Sequence, residues 1–165
     1  MNREQRRAQR RANLQQVNKI ETFDLTKGSL KVNIKDSDEF LVVDLLDFDV
    51  TNAIFDMYNK FSNIEAAYKE EYNKAMQSNK LESKFMLLRH IVYDFSEMVD
   101  SIFGNGACVL LFGHKHPQLV QITEFIEDFG PIATEIMNAT NSTMTELSDM
   151  QDASTLQHSN VVPME

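Results

Sequence analysis

The stretch LESKFMLLRHIVYDFSEMVDSIFGNGACVLLFG, residues 81–113, decides the fold. Leu81, Phe85, Leu88, Val92, Phe95, Val99 and Ile102 recur at alternating spacings of four and three. That spacing sets them along one line of an α-helix. Met86, Leu87, Ile91 and Met98 widen the apolar line beyond a two-stranded seam. A helix this apolar is expected at the centre of the domain, touched on more than one side. The strict line reads as core. Met86, Leu87, Ile91 and Met98 lie off it and read equally as core or as a surface for a partner helix.

The glycines beyond it punctuate the chain. Gly104 falls just past the helical line, where a left-handed terminating residue is wanted. Asn105 is placed to cap a following turn, Ala107 to Phe112 suffices for a short helix, and Gly113 stops it again. Phe103 and Phe112 are then expected to pack a corner between two long helices, with Gly104, Gly106 and Gly113 turning the backbone. The chemical alternatives are weaker. Cys108, His114 and His116 are metal-ligand types, but they lack the second ligand pair of a zinc site. A Cys–His nucleophile needs a base held by a third group, and Gly104 and Gly106 lack the partners of a phosphate loop. His90, inside the apolar helix, reads as a hydrogen-bonded core or rim histidine.

Upstream the period changes. Phe23 and Leu25, then Leu30, Val32 and Ile34, alternate with polar residues around Lys27-Gly28-Ser29, predicting a hairpin. FLVVDLL, residues 40–46, reads as a third strand covered in part on both faces. The acids Asp36, Asp38, Glu39, Asp44, Asp47 and Asp49 lack the glycine and closing glutamate of a calcium loop, so they read as a solvated turn. From Val50 a helix is expected, capped by Thr51 or Asp49, with Ile54, Tyr58, Phe61, Tyr68, Tyr72 and Ala75 inward. Asn79 and Glu82 resemble a capping box before the central helix. A last helix opens at Pro117 and presents Leu119, Ile122, Ile126, Phe129, Ala133 and Ile136. Gly130-Pro131 falls inside it, where a kink or break is expected. The expected fold is therefore mainly α within an α+β class. A short three-strand element precedes two long antiparallel helices, a short corner helix and a Pro-kinked third.

Composition frames the rest. Of the 165 residues 42% are hydrophobic, enough for one domain with a modest core. The net charge of −9 is uneven. Residues 1–20 carry Arg3, Arg6, Arg7, Arg10, Arg11 and Lys19 against Glu4 alone, a local +5, so the remainder carries −14. An acidic body repels nucleic acid and anionic membrane, leaving residues 1–19 as the one basic surface for a phosphate backbone or an acidic partner. The domain is expected over residues 20–138, behind a basic flexible arm at 1–19. A disordered polar tail is expected at 139–165, rich in Ser, Thr, Asn and Asp. A single cysteine allows no internal disulfide and points to a reducing compartment. No apolar run reaches the roughly 18–20 residues of a membrane span. Asn138-Ala139-Thr140 and Asn141-Ser142-Thr143 match glycosylation acceptors but are read as coincidental in an intracellular chain.

The segment from Phe95 to Phe129, FSEMVDSIFGNGACVLLFGHKHPQLVQITEFIEDF, resembles small proteins of the tail-gene cluster of siphophages of Gram-positive hosts. The match rests on a D-x-x-F-G-x-G corner closed by F-G. Here it is Asp100, Phe103, Gly104, Gly106, Phe112 and Gly113, with Glu124, Glu127 and Asp128 in the next helix. It extends over residues 30–137 at most. The resemblance implies a tail assembly chaperone in the host cytoplasm, non-enzymatic and without cofactor or metal. Its partners would be the helical tape-measure protein, tail-tube subunits or further copies of itself. A structural component retained in the virion and a nucleic-acid-binding regulator using the arginine arm are the other two readings.

Overall fold

The computed structural model describes residues 4, 5 and 19–158, with side chains as far as 154. Three strands, β1 (Ile20–Thr26), β2 (Ser29–Ile34) and β3 (Phe40–Asp44), form an antiparallel sheet in the order β1-β2-β3. The two-residue turn Lys27-Gly28 closes the first hairpin, with Gly28 at φ 85°, where a side chain would be strained. A register shift between Ile20 and Thr22 lets Ile20 turn to the same face as Phe23. That face carries the buried Leu30, Val32, Ile34 and Val43. The opposite face is bare: Phe40 and Val42 stand exposed, with Lys31 Nζ 4.3 Å from the Phe40 ring centroid. The third strand is thus covered on one face, not both, and it ends before Leu46.

Helices follow: α1 (Phe48–Ser62), α2 (Ile64–Ala67), α3 (Lys69–Gln77), α4 (Leu81–Phe103), α5 (Ala107–Phe112) and α6 (Leu119–His158). The cap of α1 is Asp47, rather than Asp49 or Thr51: its Oδ1 accepts from Asp49 N at 2.9 Å and Val50 N at 3.4 Å. Thr51 donates instead to the Leu45 carbonyl at 3.0 Å. The first of the two long helices is broken in three. Asn63 leaves helical geometry and caps α2 through Ala66 N at 3.2 Å; Tyr68 breaks it again. The inward stripe survives both breaks, because Ile54, Phe61, Tyr68 and Ala75 are buried. Before α4 no Asn79–Glu82 box forms, and Ser78 Oγ accepts from Lys80 N at 3.2 Å.

The chain divides into two compact units, residues 1–130 and 131–165. The core of the first is aromatic. The Phe125 ring lies 5.5 to 6.4 Å from Phe23, Phe95, Phe103, Phe112 and Phe129. Gln121, buried at 1% exposure, seals the turn into α6. Its Oε1 accepts from Gln118 N at 2.8 Å, and its Nε2 donates to the Phe112 carbonyl at 3.3 Å. The second unit is helical as far as His158, and Pro131 lies inside the helix assigned to Leu119–His158. Residues 139–158, expected as a disordered tail, are therefore helical. Hydroxyls there find helical acceptors: Thr140, Ser142, Thr143 and Thr145 each donate to the carbonyl four residues back at 2.9 to 3.1 Å.

A polar knot joins α1 and the α2–α3 junction to α4. Lys60 Nζ and Tyr68 Oη both donate to Asp94 Oδ2, the latter at 2.5 Å. Burial pushes the Asp94 carboxyl up, but the hydrogen bonds from Lys60 and Tyr68 and the Lys60 charge outweigh it. Its pKa is held below the usual carboxylate range. The ionised form is thus favoured in the fold, and the stability it adds is present above the unfolded value of about 4. That contribution disappears as pH falls through the lower folded value. Asp94→Asn is expected to cost about 1 kcal/mol near neutrality, the scale of a partly exposed pair. The gap from wild type should narrow progressively as pH falls below about 4, as urea titrations at pH 7 and at successively lower pH would show.

Candidate functional site

The glycine corner is built as spaced. Gly104 (φ 103°), Gly106 (φ 83°) and Gly113 (φ 78°) all sit at positive φ, and Phe103 and Phe112 are buried on either side of α5. The cap is Asp100, however, not Asn105. Its carboxylate accepts from Gly106 N at 3.3 Å and Cys108 N at 3.0 Å. Each position of D-x-x-F-G-x-G therefore has a structural role. The acid makes the cap, the phenylalanine fills the core and the glycines make the turns.

Beside the corner lies an open cleft of about 450 Å³, lined by Tyr93, Ser96, Glu97, Asp100, Ser101, Asn105, Lys115 and His116. His116 stacks on Tyr93 at 4.0 Å between ring centroids and 14° between planes. Its Nδ1 lies 3.3 Å from Ser96 Oγ, while that hydroxyl donates to the Val92 carbonyl at 2.8 Å. The serine proton is thus committed to the helix backbone. Cys108 is buried beside them, its Sγ 3.7 Å from the Ser96 carbonyl and its thiol pushed up to about 12 by burial and the nearby Asp100. The pair His90 Nδ1 and Glu71 Oε2 meets on the surface at 2.7 Å. Among the described residues no group of three or more His, Cys, Asp or Glu is close enough to hold a metal ion.

The larger feature is apolar. In α4 the buried residues are Leu87, Ile91, Phe95, Ser96, Val99, Ile102 and Phe103. Leu87 and Ile91, expected as candidates for a partner surface, face the core, and Met98 is half-buried. Residues from the strict line are exposed in their place: Leu81 at 82%, Phe85 at 65% and Leu88 at 40%, with Met86 at 63%. The reason is phase. At 100° per residue, Ile91 lies roughly a quarter turn and Leu87 roughly a third of a turn from the line through Leu81, Phe85 and Leu88. Helices α1 and α3 cover that rotated side. Towards Phe95 and Val99 the line itself enters the core. Its first two turns, about 10 Å from Leu81 to Leu88, are left bare, and side chains three and four apart form one continuous strip. The five arginines of the arm, Arg3, Arg6, Arg7, Arg10 and Arg11, lie outside the described residues.

Residues 42–158 match a family described as Family of unknown function (DUF6673). The chain belongs to this family. Neither curated proteins nor solved structures give a match. The DUF6673 match takes in the bare strip, the glycine corner and α6 to its last described residue, and leaves out β1, β2 and the basic arm. Among the described residues of this DUF6673 chain, no helix is long and apolar enough to cross a membrane.

Proposed function

We propose that this chain is a non-enzymatic tail assembly chaperone of a phage. In this reading it holds an amphipathic helix of the tape-measure protein, or a tail-tube subunit, on the bare strip of α4. The observation that carries the proposal is the strip: three large apolar side chains on one helical line, exposed where the same line farther along is core. Helix-in-groove partners are held by anchors at such spacings. The corner's resemblance to siphophage tail-cluster proteins supplies the choice of client. The recognition surface is Leu81, Phe85 and Leu88; exposed Met86 lies on another side of α4, and Leu87 and Ile91 are buried.

The test is co-expression with tape-measure fragments and with tail-tube protein, followed by pull-down. Leu81→Gln, Phe85→Gln and Leu88→Gln together should leave the fold intact, because the parent side chains are exposed. Each removes about 1.5–3 kcal/mol of burial in a complex, so capture should fall by at least about a hundredfold. Failure of the folded wild-type chain to capture either protein would end this reading.

A further inference from the structure

The far half of α6 poses its own problem. Residues 141–154 are all exposed, and the sequence there is dominated by Ser, Thr, Asn and Asp. Such residues are weak helix formers, and helices gain most of their stability from a covered apolar face. This one does carry a face, since Met137, Thr140, Met144, Leu147 and Met150 share one side, and Met144, Leu147 and Met150 are large and exposed. From Met144 to Met150 those exposed side chains span about 9 Å, close to the length of the α4 strip.

Charge sorts the two surfaces. Residues 131–158 hold Glu135, Glu146, Asp149 and Asp152 and no lysine or arginine. Around the strip, residues 80–89 carry Lys80, Lys84 and Arg89 against Glu82, a basic rim on an otherwise acidic body. Two apolar helical faces of matched length and opposite charge attract, and they suppress pairing of like with like.

We infer that the acidic C-terminal half of α6 from one copy docks on the α4 strip of a second copy, so that the chain self-associates through unlike surfaces. Covering Met144 and Leu147 completes the apolar face that the polar helix lacks. The contact is heterologous. It stands without the client reading, since it is measured on the chain alone. A client helix seated on the strip would have to displace it.

The experiment mixes chains carrying Phe85→Cys with chains carrying Leu147→Cys, one of the two enlarged by a fusion tag, under native oxidising conditions. Cys108 is buried and should not compete. A disulfide-linked dimer of mixed size is expected, more abundant than either like-with-like dimer. Replacing Glu146, Asp149 and Asp152 by lysine should lower its yield several-fold. Lys84→Glu with Arg89→Glu in the Phe85→Cys chain should restore it, with circular dichroism confirming the helical fold of each variant. The inference is overturned by a wild-type chain that stays monomeric in light scattering, or by like-with-like crosslinks in excess. It is overturned equally by an internal disulfide in a single chain bearing both cysteines, or by a yield indifferent to the lysine substitutions.

Discussion

Phe125→Ala is expected to destabilise the chain by about 3–5 kcal/mol. Phe125 is fully buried and meets five other phenylalanines, arriving from β1, α4, α5 and its own helix. Deleting the ring removes its transfer free energy and opens a cavity between elements that cannot all close on it. The Phe125 and Phe129 rings stack at 5.5 Å and 9°, and the contacts to Phe95 and Phe112 are edge-on at 5.8 and 5.5 Å. Aromatic pairs of these kinds add about 0.5–1.5 kcal/mol beyond area. A domain of this size holds about 5–15 kcal/mol in all, so the variant should lose much of its folding margin. Urea unfolding of the two proteins reads the difference from the midpoint at constant slope. Phe48→Ala is the matched control, since Phe48 is 81% exposed and lies outside the α4 strip. The same chemistry at an exposed position should stay within about 0.5 kcal/mol. A loss below about 1.5 kcal/mol at Phe125 would mean that the surrounding rings collapse into the space, and that the cluster is not the pivot of the core.

The sheet and the corner were legible because each rests on local rules. Alternation in 23–34 placed the hairpin strands, and positive-φ glycines at 104 and 113 follow from where a helix must stop. The direction of the α4 core was not legible. A line of apolar residues gives the axis of a stripe, but whichever neighbours lie against the helix choose the side that is covered. In the first half of α4 those neighbours are α1 and α3, and they take Leu87 and Ile91, so the strip on Leu81, Phe85 and Leu88 could only be found in three dimensions. The caps were missed for a related reason. Asp100 reaches Gly106 N and Cys108 N across a turn, which is a longer offset than the usual cap. Asn63 and Tyr68 break α1 from α2 and α3 although the inward stripe continues across them. The polar composition of 139–158 argued for disorder because it scores burial and not backbone. No proline or glycine interrupts those residues, and the hydroxyls of Thr140, Ser142, Thr143 and Thr145 are satisfied within the helix.

Cys108 should resist alkylation in the native chain by a factor of at least about a thousand relative to a free thiol at pH 8. Only the thiolate reacts. Burial first, and the Asp100 carboxylate next, push this thiol up to about 12, against about 8.5 for a free cysteine. Limited access adds to the protection, since Cys108 is 1% exposed. Sγ lies against the Ser96 carbonyl, while the nearest part of His116 to that serine is committed to its hydroxyl, so no imidazole is placed to take the thiol proton. Iodoacetamide labelling followed by mass spectrometry measures the rate, with the urea-unfolded chain as the reference for full reactivity. Labelling then becomes a clock for opening of α5, because the thiol can react only when that helix lifts from α4. Asp100→Ala removes the carboxylate that caps Gly106 N and Cys108 N, so the variant should label several-fold faster than wild type while its stability stays within about 2 kcal/mol of it. A wild-type rate close to that of the unfolded chain would instead mean that the corner opens freely in the native state. Phe103, Phe112 and the three glycines would then form a hinge, and the corner could no longer be described as a fixed turn between two helices.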